Sequence, residues 1–404
     1  MQPPRPRTLD RQGYRMDLEA SYGFAPTEFE DRVVRAQRLM ELHHLDGLLL
    51  TSMDNIRYFI GVDSTFWESY TRPWFVLVPA TGAPLAIIPE IGRAIIEKTW
   101  IKEIRSWSSP RPEDEGTSLV VAAISDLPRR HGRVGAELGF ELRLGMPVTQ
   151  LNAIIGDLKG VEIVDGASLI WQLRMIKSPA EVSKIKKAVG IAGAVYAQVP
   201  GFVKIGDTER TILREFRGRL NMGGASAIPT LICRSDVGGP FEITGGPRNR
   251  PIADGDLLFI DTGTTFDGYF CDYDRNYQVG RATDALRYAQ EKVWDAHEIG
   301  LQAATAGVTA GFVFEQMAKA LSSGGADLNS NGRMGHGLGL RLTEPPSIRL
   351  EDNTVLQPGM VLCIEPALEY EPGKIVLHEE TVVITDGKAQ LLTVRAPKQL
   401  AQIR

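Results

Sequence analysis

The stretch Leu257–Gly280, LLFIDTGTTFDGYFCDYDRNYQVG, reads as a β-hairpin. Leu257 to Ile260 is an apolar, β-rich run, Asp267-Gly268 is a turn signal, and Tyr269 to Val279 returns with aromatic and β-branched residues. Each arm carries a carboxylate, Asp261 and Asp272, although strands favour none. A buried carboxylate is costly unless it is paired or binds a cation. Two exposed aspartates at a strand end would be the plainer reading, but the chain repeats the arrangement.

The repeat is Met360–Thr385, MVLCIEPALEYEPGKIVLHEETVVIT. An apolar run ends in Glu365, Glu371-Pro372-Gly373 turns the chain, and Glu379 stands ahead of another β run, Thr381 to Thr385. Two hairpins with a carboxylate on each arm can bring four carboxylates to one place. Between them lies Met334-Gly335-His336-Gly337-Leu338-Gly339-Leu340, a histidine flanked by glycines. Four carboxylates cannot share a buried site without cations. Two divalent ions balance their formal charge, with His336 as a neutral nitrogen ligand.

This order resembles the creatinase/prolidase/aminopeptidase P family of pita-bread metallopeptidases, M24. The matching pattern is Asp261, Asp272 eleven residues on, Gly-His-Gly at His336, an apolar-Glu-Pro at Glu365, and Glu379 opening a β run. The resemblance spans nearly the whole chain. It implies a creatinase-type α/β N-terminal domain over residues 28–168 and an α+β pita-bread domain over 169–404, after an arm over 1–27. It implies that Asp261, Asp272, His336, Glu365 and Glu379 hold two divalent metal ions. Oxygen-rich ligation favours Mn²⁺, with Co²⁺, Zn²⁺ or Fe²⁺ as alternatives. The implied chemistry is attack on an amide carbonyl by a hydroxide bridging the ions, with Glu365 as the catalytic proton shuttle. It also implies a homodimer in which the N-terminal domain of one subunit covers the partner's site. On that basis Phe66, Trp67, Tyr70 or Arg72 would touch substrate.

Composition agrees with such a protein. At 404 residues, 43% hydrophobic and 24% charged, the chain is long enough for two or three domains with real cores. A net charge of −5 and the lack of a basic block do not suggest nucleic acid. No apolar run approaches the ~20 residues of a membrane span. The N-terminus, MQPPRPRTLDRQGYRM, is basic but has no apolar core, so it does not read as a secretory signal. Cys233, Cys271 and Cys363 are distant, odd in number and form no zinc or redox motif, which fits core packing in a reducing cytoplasm. Cys363 shares a strand face with Glu365, two residues on.

Along the chain, the Pro- and Arg-rich first 25 residues suit an arm or a loose tail. Thr27-Glu-Phe-Glu30 reads as a capping box opening a helix to about His44, with Val33, Ala36, Met40 and His43 on one face. Strands are expected at Asp46–Thr51, Trp74–Pro79, Pro84–Pro89 and Gly132–Glu137, and helices near Gly92–Lys98 and Val148–Leu158. Asn55–Gly61 resembles the family's N-terminal-domain motif. Trp67, Trp74, Trp100 and Trp107 gather in this half. Leu173–Lys177 reads as a linker, and Ser178-Pro179-Ala180-Glu181 as a capping box that opens the second domain. Asp207 is expected to cap a helix with Ile212, Phe216 and Leu220 on one face. Further helices are marked by Leu286, Ala289, Val293 and Ala296, and by Val313, Met317 and Leu321.

Several positions depart from the family pattern. Proline-specific members carry histidines where this chain has Thr244 and Thr343, and an arginine where it has Leu377. Threonine hydrogen-bonds but does not act as acid or base near neutrality. Thr244 and Thr343 are therefore candidate substrate contacts, together with Trp67 and Arg72. Asp274 shares the face of Asp272 and is expected behind the ligands, answered by Arg275. The leading expectation is an Xaa-Pro dipeptidase-like or aminopeptidase-like hydrolase acting on short peptides. A second is the same fold acting on a small non-peptide amide or metabolite, as in creatine or ectoine hydrolases or a sulfoniopropionate lyase. A third is a catalytically silent interaction module.

Overall fold

The computed structural model describes residues 23–68, 71–322 and 332–404. The expected arm lies outside the described residues up to residue 22, as does Tyr70. Helix α1 (Pro26–His43) buries Val33, Ala36 and Met40. Its expected Thr27 capping box does not form. Ala25 is the N-cap without a side-chain bond, because Pro26, with its φ already helical, begins the helix two residues earlier.

The first half is an α/β unit. Strands β1 (Gly47–Leu50), β2 (Phe75–Pro79), β3 (Leu85–Pro89), β4 (Glu103–Trp107), β5 (Arg133–Ala136) and β6 (Glu162–Asp165) form one sheet in the order β4-β3-β2-β1-β5-β6. The β1–β2 and β2–β3 pairs are antiparallel and the rest are parallel. Helices α2 (Met53–Ile60), α3 (Arg93–Ile96), α4 (Thr117–Ser125), α5 (Val148–Asp157) and α6 (Ala167–Met175) accompany it. The tryptophans do not form one cluster. Trp67 and Trp74 pack edge to face at 5.8 Å, whereas Trp107 sits against Phe75 in a separate core.

The expected linker is shorter than its sequence suggests, because Leu173 to Met175 complete α6. Helix α7 (Pro179–Tyr196) opens on the expected capping box, with both Ser178 and Glu181 bonds formed. Helix α8 (Val199–Phe202) precedes α9 (Glu209–Met222), which buries Ile212, Phe216 and Leu220. Its cap is Thr208 rather than Asp207. The Asp207 carboxylate instead accepts from the Lys204 N–H and closes the preceding turn.

Two five-stranded sheets follow. The first joins β7 (Ala227–Val237), β8 (Asp256–Phe266), β9 (Tyr269–Phe270) and β10 (Tyr273–Val279) to the last strand, β18 (Ala401–Ile403). The second is built from β11 (Gly335–Gly337), β12 (Glu344–Ser347), β13 (Val361–Ile364), β16 (Glu380–Val383) and β17 (Gln390–Leu391), and carries the ribbon β14 (Ala367–Glu371)–β15 (Lys374–Leu377). Helices α10 (Asp284–Ala303) and α11 (Ala310–Ser322) bury the expected apolar faces. Asp267 and Gly268 both have positive φ, 48° and 78°, as a tight hairpin turn requires.

Hydrogen bonds sew the two sheets together at one strand end. Thr381 Oγ1 and Cys363 Sγ donate to the Asp272 carbonyl at 2.7 and 3.5 Å, and Asn276 Nδ2 donates to Leu377 O at 2.5 Å. The α/β unit is fixed to the second sheet by a buried ion cluster. Arg174 and Lys177 both bond the carboxylate of Glu344, and Arg174 Nη1 also reaches Asn55 Oδ1 at 2.8 Å. Burial alone would raise the Glu344 carboxyl, but its two cations outweigh it and hold it down at about 2.

Candidate metal centre

Strand register explains why distant carboxylates meet. On the first sheet Asp261 lies opposite Asp274, so both point to one face, and Asp272 two residues earlier shares it. On the second, His336 lies opposite Cys363, and Cys363 opposite Thr381. Glu365 and Glu379 stand two residues further along the same face. The joined sheets thereby bring Asp261, Asp272, His336, Glu365 and Glu379 to the lining of one cavity of about 930 Å³.

The donors are close. Ligand atoms of Asp272, His336, Cys363 and Glu379 all lie within 4.8 Å of one another. His336 Nε2 is 3.4 Å from Asp272 Oδ2 and 3.6 Å from Glu365 Oε1. Its Nδ1 is 2.8 Å from the Gly337 carbonyl, which can only accept, so the proton sits there and the Nε2 lone pair faces the carboxylates.

The electrostatics is that of a site short of positive charge. Burial first, and then Asp272, pushes the Asp261 carboxyl well above its usual range. Glu379 is raised by burial and by Asp272, Glu365, Asp261 and Asp274. Asp272 and Glu365 are also raised, chiefly by burial, while burial pushes the His336 imidazole down. Asp261 Oδ1 and Glu379 Oε1 are buried without any hydrogen-bond partner. Unpartnered buried carboxylate oxygens and an imidazole lone pair around one point are the donor set of a divalent cation. The residues present therefore fit a metal.

Asp274 and Arg275 divide differently from expectation. The Asp274 carboxylate accepts from the Glu379 N–H at 2.5 Å and from Asn276 Nδ2 at 2.8 Å. Arg275 turns to the opposite face, as strand alternation demands, and pairs with Glu380 at 3.0 Å. Its Nη1 still donates to the carbonyls of Asp274 and Glu379, at 2.6 and 3.3 Å. Arg275 thus holds the ligand-bearing backbones rather than the Asp274 carboxylate.

Thr244 and Thr343 both line the cavity, as does Leu377. Within one chain Trp67 and Arg72 do not line it. Sequence reasoning missed Arg333. Its Nε lies 3.7 Å from Glu365 Oε1 and its Nη2 donates to Thr343 Oγ1 at 3.4 Å. Its position three residues before His336 was the available signal.

Residues 183–386 match the family model of metallopeptidase family M24, and residues 32–176 match the creatinase/prolidase N-terminal domain. The chain belongs to metallopeptidase family M24. Among M24 relatives, a probable dipeptidase PepE of Mycobacterium tuberculosis is 27% identical over 361 residues, covering 88% of this chain and 92% of that one. An Xaa-Pro dipeptidase of Pyrococcus furiosus is 33% identical over 265 residues, 63% of this chain and 73% of that one. The crystal structure of dipeptidase PepE from Mycobacterium ulcerans superposes with a TM-score of 0.82 at 27% identity, covering 94% of this chain and 99% of that chain. A prolidase from Thermococcus sibiricus, at 24% identity and a TM-score of 0.81 over 93% of this chain and 99% of that one, shares the M24 fold. The creatinase-type and pita-bread architecture is thus that of known metallopeptidases.

Proposed function

We propose that this M24 protein is a metal-dependent peptidase that cleaves short peptides, with Xaa-Pro dipeptides as the first substrates to consider. The observation that carries the reading is the convergence of Asp261, Asp272, His336, Glu365 and Glu379 with unpartnered buried oxygens on one cavity. In this reading those five residues hold two divalent cations, Mn²⁺ first and Co²⁺, Zn²⁺ or Fe²⁺ as alternatives. When bound, such ions supply Lewis-acid polarisation of the amide carbonyl and acidify a water. Glu365, at the cavity edge and raised by burial, takes the proton of the attacking water and delivers it to the leaving nitrogen. His336, with its tautomer fixed by Gly337, presents Nε2 as a neutral ligand. Thr343 and Thr244 orient the peptide by hydrogen bonds without moving protons.

The reading includes a hydrolytic unit from residue 169, behind an N-terminal unit over 28–168. It also includes a cytoplasmic homodimer in which Trp67 and Arg72 approach the partner's cavity. The similarity to dipeptidases supports peptide substrates. The threonines at 244 and 343 and Leu377 favour a second reading, a small non-peptide amide, because they withdraw the side chains that proline-specific members use.

The test is hydrolysis of a panel of Xaa-Pro and Xaa-Leu dipeptides by Mn²⁺-loaded protein, alongside Glu365→Ala. Turnover that falls about 10²- to 10⁴-fold in the variant supports the peptidase reading. Metal binding with no turnover of any peptide points to the amide reading, and undiminished turnover in Glu365→Ala refutes the role of Glu365.

A further inference from the structure

We propose that a second cavity, across β10 from the metal centre, binds a free α-amino acid as its zwitterion. The cavity holds about 260 Å³ and lies between α7, β10, α10 and the segment leading into β18. Tyr273, Arg275 and Tyr277 line it, alternating along the chain with Asp272 and Asp274 on the metal side. It is smaller than the ~300–1,000 Å³ of sites for drug-sized ligands, and far larger than the ~30 Å³ share of one water.

Most polar groups of its wall are spent on the protein itself. The hydroxyls of Tyr196, Tyr273 and Tyr277 donate to the carbonyls of Tyr273, Val189 and Tyr196 at 2.8, 3.0 and 2.9 Å. Arg275 is engaged by Asp274, Glu379, Glu380 and Val394. Arg395 is different. Glu298 takes its Nη1, and its guanidinium carbon stands 4.0 Å from the Trp294 ring centre. Its Nε and Nη2 are buried with no partner among the described residues. These two nitrogens form one edge of the guanidinium, which grips a planar carboxylate through paired N–H groups. The contacts with Glu298 and Trp294 set that edge in place beforehand.

The same wall offers acceptors without donors. Asn276 Nδ2 is committed to the Asp274 carboxylate and the Leu377 carbonyl, at 2.8 and 2.5 Å, which leaves Oδ1 buried and unpartnered. Gln290 is 3% exposed, and its Oε1 is unpartnered as well. Buried polar atoms are costly to leave unpaired, so this wall calls for an occupant with complementary groups. A carboxylate answers Arg395, and an ammonium answers the two amide oxygens. An α-amino acid carries both on one carbon, and Pro200, Pro397 and Leu400 give its side chain an apolar wall. The site stands on its own lining and does not depend on the peptidase reading, although peptide hydrolysis releases molecules of this class.

The test is calorimetry at pH 7 on metal-loaded full-length protein, as wild type, Arg395→Lys and Gln290→Met. The probes are glycine, L-alanine, L-proline and L-leucine, each also as its N-acetyl and amide derivatives. Wild type is expected to bind at least one free amino acid. Blocking either end should weaken it about 10- to 150-fold, the range of a hydrogen bond to a charged group. Arg395→Lys keeps a cation for Glu298 but removes the paired edge, and should weaken the free amino acid by a similar factor. Gln290→Met removes one acceptor and should weaken it less. The comparison of free and blocked probes needs no variant, so the proposal is tested even if a substitution disturbs folding. No heat with any free amino acid overturns it and leaves the cavity to ordered water. Binding that ignores both substitutions places the amino acid at the metal centre and overturns it equally. Neither result bears on the peptidase reading, which dipeptide turnover decides.

Discussion

Glu344 and Glu379 are both buried glutamates of the second five-stranded sheet or its edge, yet their surroundings push them in opposite directions. Glu344 meets Arg174 and Lys177, and its carboxyl is held at about 2. Glu379 meets Asp272, Glu365, Asp261 and Asp274, and its carboxyl is driven well above the ordinary range. The chain matches the charge where a carboxylate joins its two halves, and sets only Arg333, 3.7 Å from Glu365, beside the four carboxylates gathered in the cavity. That difference separates a structural ion cluster from a site built for an external cation.

The contrast can be broken from either side. The largest effect is expected at the structural cluster. Glu344→Gln leaves Arg174 and Lys177 buried without their partner, and should cost about 3–5 kcal/mol of stability by urea unfolding. A loss within experimental scatter would mean that the cluster is not what binds the α/β unit to the sheets.

The pH dependence should run in opposite directions for the two groups. Glu344 has a folded pKa below the unfolded value of about 4.3, so its contribution is present above that pH and fades as the pH falls toward about 2. The cavity carboxylates Asp261, Asp272 and Glu379 have folded pKa values above the unfolded ones. Their protonated forms favour the folded state at low pH, and that contribution is lost as the pH rises through the folded values. Metal-free protein should therefore lose stability as the pH rises above the ordinary carboxylate range, and metal-loaded protein should not. Parallel curves for the two forms would contradict the contrast.

A smaller effect sharpens it. Thr381→Val removes the 2.7 Å bond to the Asp272 carbonyl, leaving Cys363 Sγ at 3.5 Å as its remaining link from the second sheet. A loss of about 1 kcal/mol is expected, with weaker metal binding in a chelator competition. Unchanged metal affinity would show that this bond does not set the spacing of the two sheets.

Much of this was legible in the sequence because strand periodicity is local. Asp272 with Asp274, and Glu365 with Cys363, could be put on shared faces by counting in twos, and the Ser178–Glu181 capping box was complete within four residues. What could not be read depends on contacts between remote segments. Glu344 and Arg174 are 170 positions apart, and nothing local marks them as partners. Arg275 was assigned to its neighbour Asp274, although alternation sends it to Glu380, 105 residues away. Strand β4, Glu-Ile-Arg-Ser-Trp, was missed because its charged residues hide the period of an edge strand, and the helix caps lie two residues from Thr27 and one from Asp207 because Pro26 and Thr208 compete with them locally.

The central claim, that the cavity carboxylates await divalent cations, is tested most directly by metal content and thermal unfolding of the same sample before and after chelation at pH 7. The account predicts about two ions per chain at saturation, the stoichiometry that cancels four carboxylates, and a fall in Tm on chelation that Mn²⁺ reverses. Protein that retains no stoichiometric metal and unfolds at the same temperature with and without Mn²⁺ would contradict it.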